Sequence, residues 1–165
     1  ATPGFRVGKK EKKMGLRASP LCEISLQDLR VSAADCLGPG GLFRESLAAL
    51  DFSRVGIAAM AVGLAQGAFE YAFRYVHDRK AFGQAVADFQ GVQFKLADMA
   101  TGIEAARALT MKCAAEADAG RPFTKLASMA KYFASDVAMP TTPEARTSSC
   151  IPGIPRRPTS SRWPP

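Results

Sequence analysis

Apolar and polar residues alternate along "GFRVGKK" and "LCEISLQDLRV", punctuated by Gly4, Gly8, Pro20 and the run Gly38–Pro39–Gly40–Gly41. A period of two predicts extended strands over residues 1–40. Beyond Gly41 the period lengthens, and Leu47, Leu50, Ile57, Met60, Leu64, Ala68, Tyr71 and Tyr75 stand three, four or seven apart. That spacing predicts a helix of about thirty residues with those side chains turned inward. A second helix is expected with Asp88 as its N-cap and Val92, Leu96, Met99, Ile103 and Ala106 inward, ended by Gly120-Arg121-Pro122. Thr124 is the expected cap of a third, with Leu126, Met129, Phe133 and Val137 inward. No proline falls between Gly40 and Arg121, as long helices require.

After Met139 the character changes. Seven of the eleven prolines lie in residues 140–165, among Ser, Thr and Arg, a composition that predicts a disordered tail. The expected fold class is therefore mostly α with a small β portion. It has a β part over residues 1–40, three helices over 41–139, and the tail over 140–165. Three helices alone are expected to leave the stripes through Met99–Ile103 and Phe133–Val137 uncovered, and so to self-associate.

A chain of 165 residues suffices for one core or two small pieces, and 47% apolar with 22% charged residues is ordinary for a globular protein. No apolar run is expected to reach the ~20 residues of a bilayer span. The first twenty residues are cationic and lack the apolar block of a signal peptide. The chain begins with Ala rather than Met, which suggests a fragment.

The net charge of +7 resides at the ends, +5 in residues 1–20 and +3 in 140–165, with −1 over the 119 residues between. A near-neutral body argues against nucleic-acid binding. Cys22, Cys36, Cys113 and Cys150 form no C-x-x-C pair, and His77 is the single histidine, so no metal site and reduced, packed thiols are expected.

The stretch "HDRKAFGQAVADFQ", His77 to Gln90, separates the first two helices. Arg79 and Lys80 ahead of a helix N-terminus make an anion site, and Phe82 and Phe89 offer faces to a flat ring. The same residues make an exposed turn with solvated cations, and pattern alone leaves both readings open. "KKEKKMGLR" reads as a solvated hairpin, His77 as an exposed helix-end residue, and Cys113 as a packed thiol.

The segments "GFRVGKKEKKMGLRASPLCEISLQDLRV", "LDFSRVGIAAMAVGLAQGAFEYAF", "DRKAFGQAVADFQGVQFKLADMATGIEAARALT" and "GRPFTKLASMAKYFASDVAM" together resemble the acyl-CoA dehydrogenase family over residues 4–139. The short-chain, butyryl-CoA type is nearest. "LGPGGLF" is about one residue shorter than the family's glycine-rich turn. The resemblance implies the end of a β domain followed by part of a C-terminal helical bundle, in a flavoenzyme that is usually a homotetramer. It implies that Arg79 contacts the pyrophosphate of a neighbouring subunit's FAD, with Ala81, Phe82, Phe89 and Gln90 beside it. Some relatives carry a hydroxyl residue where Ala81 stands. Asp51 and Arg54 in "LDFSR" correspond to acyl-CoA contacts; on chemistry alone they are an i,i+3 ion pair worth about 0.3 kcal/mol.

The implied reaction is α,β-dehydrogenation of an acyl-CoA thioester, with electrons passed to an electron-transfer flavoprotein, in a bacterial cytoplasm or a mitochondrial matrix. The family's base is a Glu in Tyr-Glu-Gly or, in a minority, a Glu directly before the arginine of the substrate motif. The first motif does not occur in this sequence and Ser53 holds the second position, so no catalytic residue is assigned and the chain alone is expected to be inactive. The alternative is a non-catalytic helical interaction module.

Overall fold

The computed structural model describes residues 2–35 and 43–148, the side chains of 43–45 and 146–148 excepted. Cys36, the glycine run at 38–41, Cys150 and the tail beyond 148 lie outside the described residues. The chain divides into two units, residues 1–43 and 44–165.

The first unit is built on an antiparallel pair, β1 (Phe5–Lys10) and β2 (Cys22–Leu26). Phe5 faces Leu26 and Val7 faces Ile24, and the register slips between Val7 and Lys10. Two strands cannot cover either of their own faces, so Val7, Ile24 and Leu26 stand exposed. The cationic stretch forms the hairpin loop, where Lys13 Nζ donates to the Ser19 carbonyl at 2.5 Å and Arg17 Nε to the Lys13 carbonyl at 3.4 Å.

The second unit runs α1 (Phe43–Asp78), β3 (Lys80–Ala81), β4 (Gln84–Ala85), a 3-10 turn (Val86–Asp88), α2 (Gln90–Asp118) and α3 (Thr124–Ser148). Its core joins Ala58, Val62 and Ala65 of α1 to Ile103, Ala106 and Cys113 of α2 and to Ala127, Ala130, Ala134 and Ala138 of α3. The expected stripe of α2 is the buried one, with Leu96, Met99, Ile103 and Ala106 inside and Val92 half-buried. A Cβ added at Gly102 would meet Val137 Cγ1 at 3.3 Å, so the absence of a side chain there lets α2 and α3 approach closely.

α1 corrects the expectation. Leu47, Leu50, Ile57, Met60, Leu64 and Tyr71 are exposed, and Ala68 and Tyr75 are half-buried. The buried row is Ala58, Val62, Ala65, Ala72 and Val76. Both rows have helical spacing. The small residues win the interior because close-packed helices need short side chains between their axes. α3 behaves alike: its alanines are buried, Leu126, Phe133 and Val137 flank them half-buried, and Met129 is exposed. The stripes through Met99–Ile103 and Phe133–Val137 are thus largely covered, and the uncovered apolar row lies on α1.

Ser46–Asp78 is also long and apolar enough to cross a membrane by length and composition, contrary to the sequence expectation. Its alanine row packs against α2 and α3, while only 17% of its most apolar stretch is buried.

Three helix ends differ from expectation. Phe89, without a side-chain cap, occupies the N-cap of α2, while Asp88 Oδ2 accepts from the Ala85 N–H at 3.2 Å to close the 3-10 turn. At the start of α3 the Phe123 carbonyl accepts the Ala127 N–H at 2.8 Å, and the Thr124 hydroxyl is used elsewhere. Most importantly, α3 does not end at 139 but continues through Pro140 and Pro143 to Ser148.

Both prolines stand on the exposed side, as do Asp136 and Met139, the residues whose carbonyls lose a helical donor. Thr141 and Thr142 back-bond to the carbonyls of Val137 and Ala138 at 2.7 and 2.6 Å. Ala145 is buried with Ala72 and Met99. Proline count predicted a tail here because it ignores which side of a helix the prolines occupy.

Candidate functional site

The joint between α1 and α2 is a fixed hairpin. Arg79 donates its N–H to the Tyr75 carbonyl at 2.9 Å and accepts the Val86 N–H at 2.8 Å. Lys80 pairs with Ala85 and Ala81 with Gln84. Phe82 and Gly83 turn the chain with φ of 53° and 83°, the two positive values a tight type I′ turn requires. Glycine adopts this conformation freely, whereas for phenylalanine it costs about 1 kcal/mol. Val86 and Ala87 pack on Val76 and Leu96, which staples the hairpin to both helices.

This frame leaves two groups without an internal use. Arg79 Nε is buried and has no hydrogen-bond partner. An unmet buried donor costs about 1–3 kcal/mol, more when charged, so an external acceptor fits here. Phe82 is 90% exposed at the hairpin tip, edge-on to Phe89 with ring centroids 6.3 Å apart. Ala81 is half-buried and offers only a methyl, and Gln90 opens α2, whose N-terminus adds positive potential. The five residues expected at this site, Arg79, Ala81, Phe82, Phe89 and Gln90, therefore share one hairpin and helix start.

Asp51 and Arg54 lie elsewhere on α1. Arg54 is separated from the helix end at Asp78 by 24 residues, roughly 36 Å of helix. Arg54 Nη1 donates to Asp51 Oδ1 at 2.5 Å, and Thr124 Oγ1 donates to Asp51 Oδ2 at 2.6 Å. Asp51 is only 7% exposed, so this is not the solvated ion pair that chemistry alone suggests. With both carboxylate oxygens engaged, Asp51 holds Arg54, and Arg54 is the group left to meet a ligand. Leu47, Ala48, Asp51, Arg54 and Thr124 line a cleft of about 370 Å³.

Sequence reasoning assigned Thr124 to a helix cap and missed its bond to Asp51. No sequence signal links residues 73 apart. It also missed the edge-on pairing of Phe52 with Phe123, at 4.9 Å, beside that bond. The connection leading to Thr124 is itself fixed, since Arg121 bonds Glu116 through its N–H and its Nε. That side-chain bond holds the Glu116 carboxyl below its ordinary range.

His77 is exposed, as expected, with Nδ1 2.7 Å from the Phe73 carbonyl. Cys113 is a buried free thiol, and burial, with the Asp51 charge second, pushes its pKa up. Ser53 donates its hydroxyl to the Leu50 carbonyl at 3.1 Å. Among the described residues no three of His, Cys, Asp and Glu cluster as metal ligands would.

The sequence profile of the family described as "Acyl-CoA dehydrogenase, C-terminal domain" matches residues 43–147. The rat mitochondrial short/branched chain specific acyl-CoA dehydrogenase is 46% identical over 151 residues, covering 91% of this chain and 34% of the relative. The structure of butyryl-CoA dehydrogenase from Megasphaera elsdenii superposes with a TM-score of 0.83 at 46% identity, covering 89% of this chain and 39% of that one. A structure described as electron transferring flavoprotein of Acidaminococcus fermentans gives the same TM-score at 44% identity, covering 89% and 39%. The chain spans about a third of the length of the relatives it matches in sequence. By the profile match and these likenesses, it belongs to the acyl-CoA dehydrogenase family.

Proposed function

We propose that this chain is the part of an acyl-CoA dehydrogenase that helps hold FAD and an acyl-CoA thioester for α,β-dehydrogenation. The observation that carries this reading is Arg79 Nε, buried without an acceptor at the root of a hairpin whose tip presents Phe82. A pyrophosphate supplies the missing acceptor, and guanidinium–phosphate bonds are charge-assisted and directional. Arg79, Ala81, Phe82, Phe89 and Gln90 would hold the FAD, which when bound accepts the hydride from the substrate's β-carbon. The exposed ring of Phe82 shields such a ligand from water.

Arg54, aimed by Asp51, supplies the cation for the acyl-CoA. Because roughly 36 Å of α1 separates Arg54 from the joint, the two groups of one chain suit two different pockets. That favours a homo-oligomer, a tetramer by family resemblance, in which Arg79 reaches a neighbour's flavin. Electrons would pass to an electron-transfer flavoprotein. Ser53 cannot remove an α-proton, because a hydroxyl already donating to a carbonyl is no base near neutral pH. The 165-residue chain alone is therefore not expected to turn over substrate.

The second reading, a non-catalytic helical interaction module, is favoured by the exposed row Leu47, Leu50, Ile57, Met60 and Leu64. Flavin retention separates the two. Residues 43–148 would replace the matching segment of the Megasphaera elsdenii butyryl-CoA dehydrogenase. The chimera is expected to keep its flavin through gel filtration and to reduce a dye with butyryl-CoA. A folded chimera without flavin contradicts the proposal.

A further inference from the structure

We propose that Thr124, at the start of α3, is a positioning residue that aims Arg54 of α1 into the cleft between them. The inference rests on the reading of that cleft as an acyl-CoA contact, and it names the residue that sets the geometry of the contact.

A carboxylate as buried as Asp51 needs its oxygens satisfied from within the protein. Thr124 Oγ1 takes Oδ2 at 2.6 Å and Arg54 Nη1 takes Oδ1 at 2.5 Å. With one oxygen pinned from a second helix, the carboxylate cannot turn about its Cβ–Cγ bond, so the direction of Oδ1 is set. The Arg54 Nη1 that donates to Oδ1 is drawn to that direction, which biases where the rest of the guanidinium lies.

The Arg54 side chain is 39% exposed, and its bond to Asp51 is the one hydrogen bond its guanidinium makes among the described residues. Its remaining N–H groups are thus free for an anionic or carbonyl group in the cleft lined by Leu47, Ala48 and Thr124.

Thr124 is held independently of the carboxylate it binds. The ring of the preceding residue, Phe123, meets Phe52 at 4.9 Å with planes 65° apart. The clasp between α1 and α3 therefore has an aromatic part that fixes the backbone and a hydroxyl part that orients the charge. Removing the hydroxyl alone should leave the first and release the second.

The test uses the whole chain and butyryl-CoA as the probe. In the wild type, the Thr124 hydroxyl proton is expected to exchange slowly and the Arg54 Nε–H signal to be sharp by NMR. Thr124→Val is expected to broaden the Arg54 signal and weaken butyryl-CoA binding about tenfold, the scale of one lost bond to a charged group. Thr124→Ser, which keeps the hydroxyl, is expected to stay within about twofold of the wild type, the spread of a conserved contact.

An unchanged Arg54 signal in Thr124→Val overturns the proposal, as does a Ser variant no better than Val. Should the Val variant not fold, a fast-exchanging Thr124 hydroxyl in the wild type overturns it equally. If the wild type binds no butyryl-CoA, or Arg54→Ala binds it unchanged, the acyl-CoA reading of the cleft fails. The Arg54 signal then decides the role of Thr124 by itself.

Discussion

Lys95 on α2 and Glu144 on α3 meet at 2.9 Å, beyond the point where two prolines would be expected to have ended the helix. The pair is about half exposed and contributes at most about 1 kcal/mol. Ala145, 5% exposed beside Ala72 and Met99, matters more. Ala145→Asp is expected to cost about 3 kcal/mol or more by burying an unpaired charge, and Glu144→Gln less than about 1. Urea unfolding measures both. Equal, small effects would mean that α3 does not pack past Pro140.

The two apolar rows of α1 should respond oppositely to substitution. Ala65 is fully buried, and Ala65→Leu should overpack the interior at about 1–3 kcal/mol. Leu64 next to it is exposed, and Leu64→Ala should cost no more than about 0.5 kcal/mol. The exposed row should also drive concentration-dependent association. Ile57→Glu with Leu64→Glu is expected to lower the light-scattering mass of the chain while leaving its helicity unchanged. A large loss from Leu64→Ala, or scattering indifferent to the double change, would reverse the assignment of faces.

These two cases show what the residue pattern could and could not convey. The number of helices, the stripe of α2 and the break at Gly120 were legible because each rests on local spacing or a local turn. The inward face of α1 was not, since Leu47–Leu64 and Ala58–Val76 have the same period and only neighbours select between them. Pro140 and Pro143 misled because a proline on a solvent-facing side removes donors from carbonyls that water can satisfy. At the candidate site, the place of Arg79 just before a helix was legible, but the burial of its Nε without a partner was not. The clasp of Thr124 on Asp51 was not, because it joins distant segments.

Cys113 gives a prediction in pH. Its thiol has no solvent exposure, and burial, aided by the Asp51 charge, raises its pKa in the folded chain. The unfolded thiol titrates at about 8.5. The folded state therefore holds a proton that the unfolded state has released as pH rises. The resulting stabilisation is complete below about 8.5 and is lost as pH climbs through the folded value. Wild type should lose Tm faster than Cys113→Ala between pH 8 and 10. Half-buried Cys22 should react with a thiol reagent well before Cys113. Parallel Tm curves, or equal thiol rates, would contradict this.

The central claim is that the hairpin joint holds a phosphate-bearing cofactor through Arg79, and one comparison in the chimera tests it most directly. FAD affinity is to be measured for Arg79→Ala and Lys80→Ala side by side. Arg79 carries the buried, partnerless Nε, whereas Lys80 is exposed. A guanidinium–pyrophosphate bond worth about 1.5–3 kcal/mol predicts a loss of about ten- to a hundredfold for Arg79→Ala, with Arg79→Lys recovering only part of it. Lys80→Ala should change affinity by less than about threefold. Equal, small effects at the two positions would reduce the joint to a solvated turn and contradict the account.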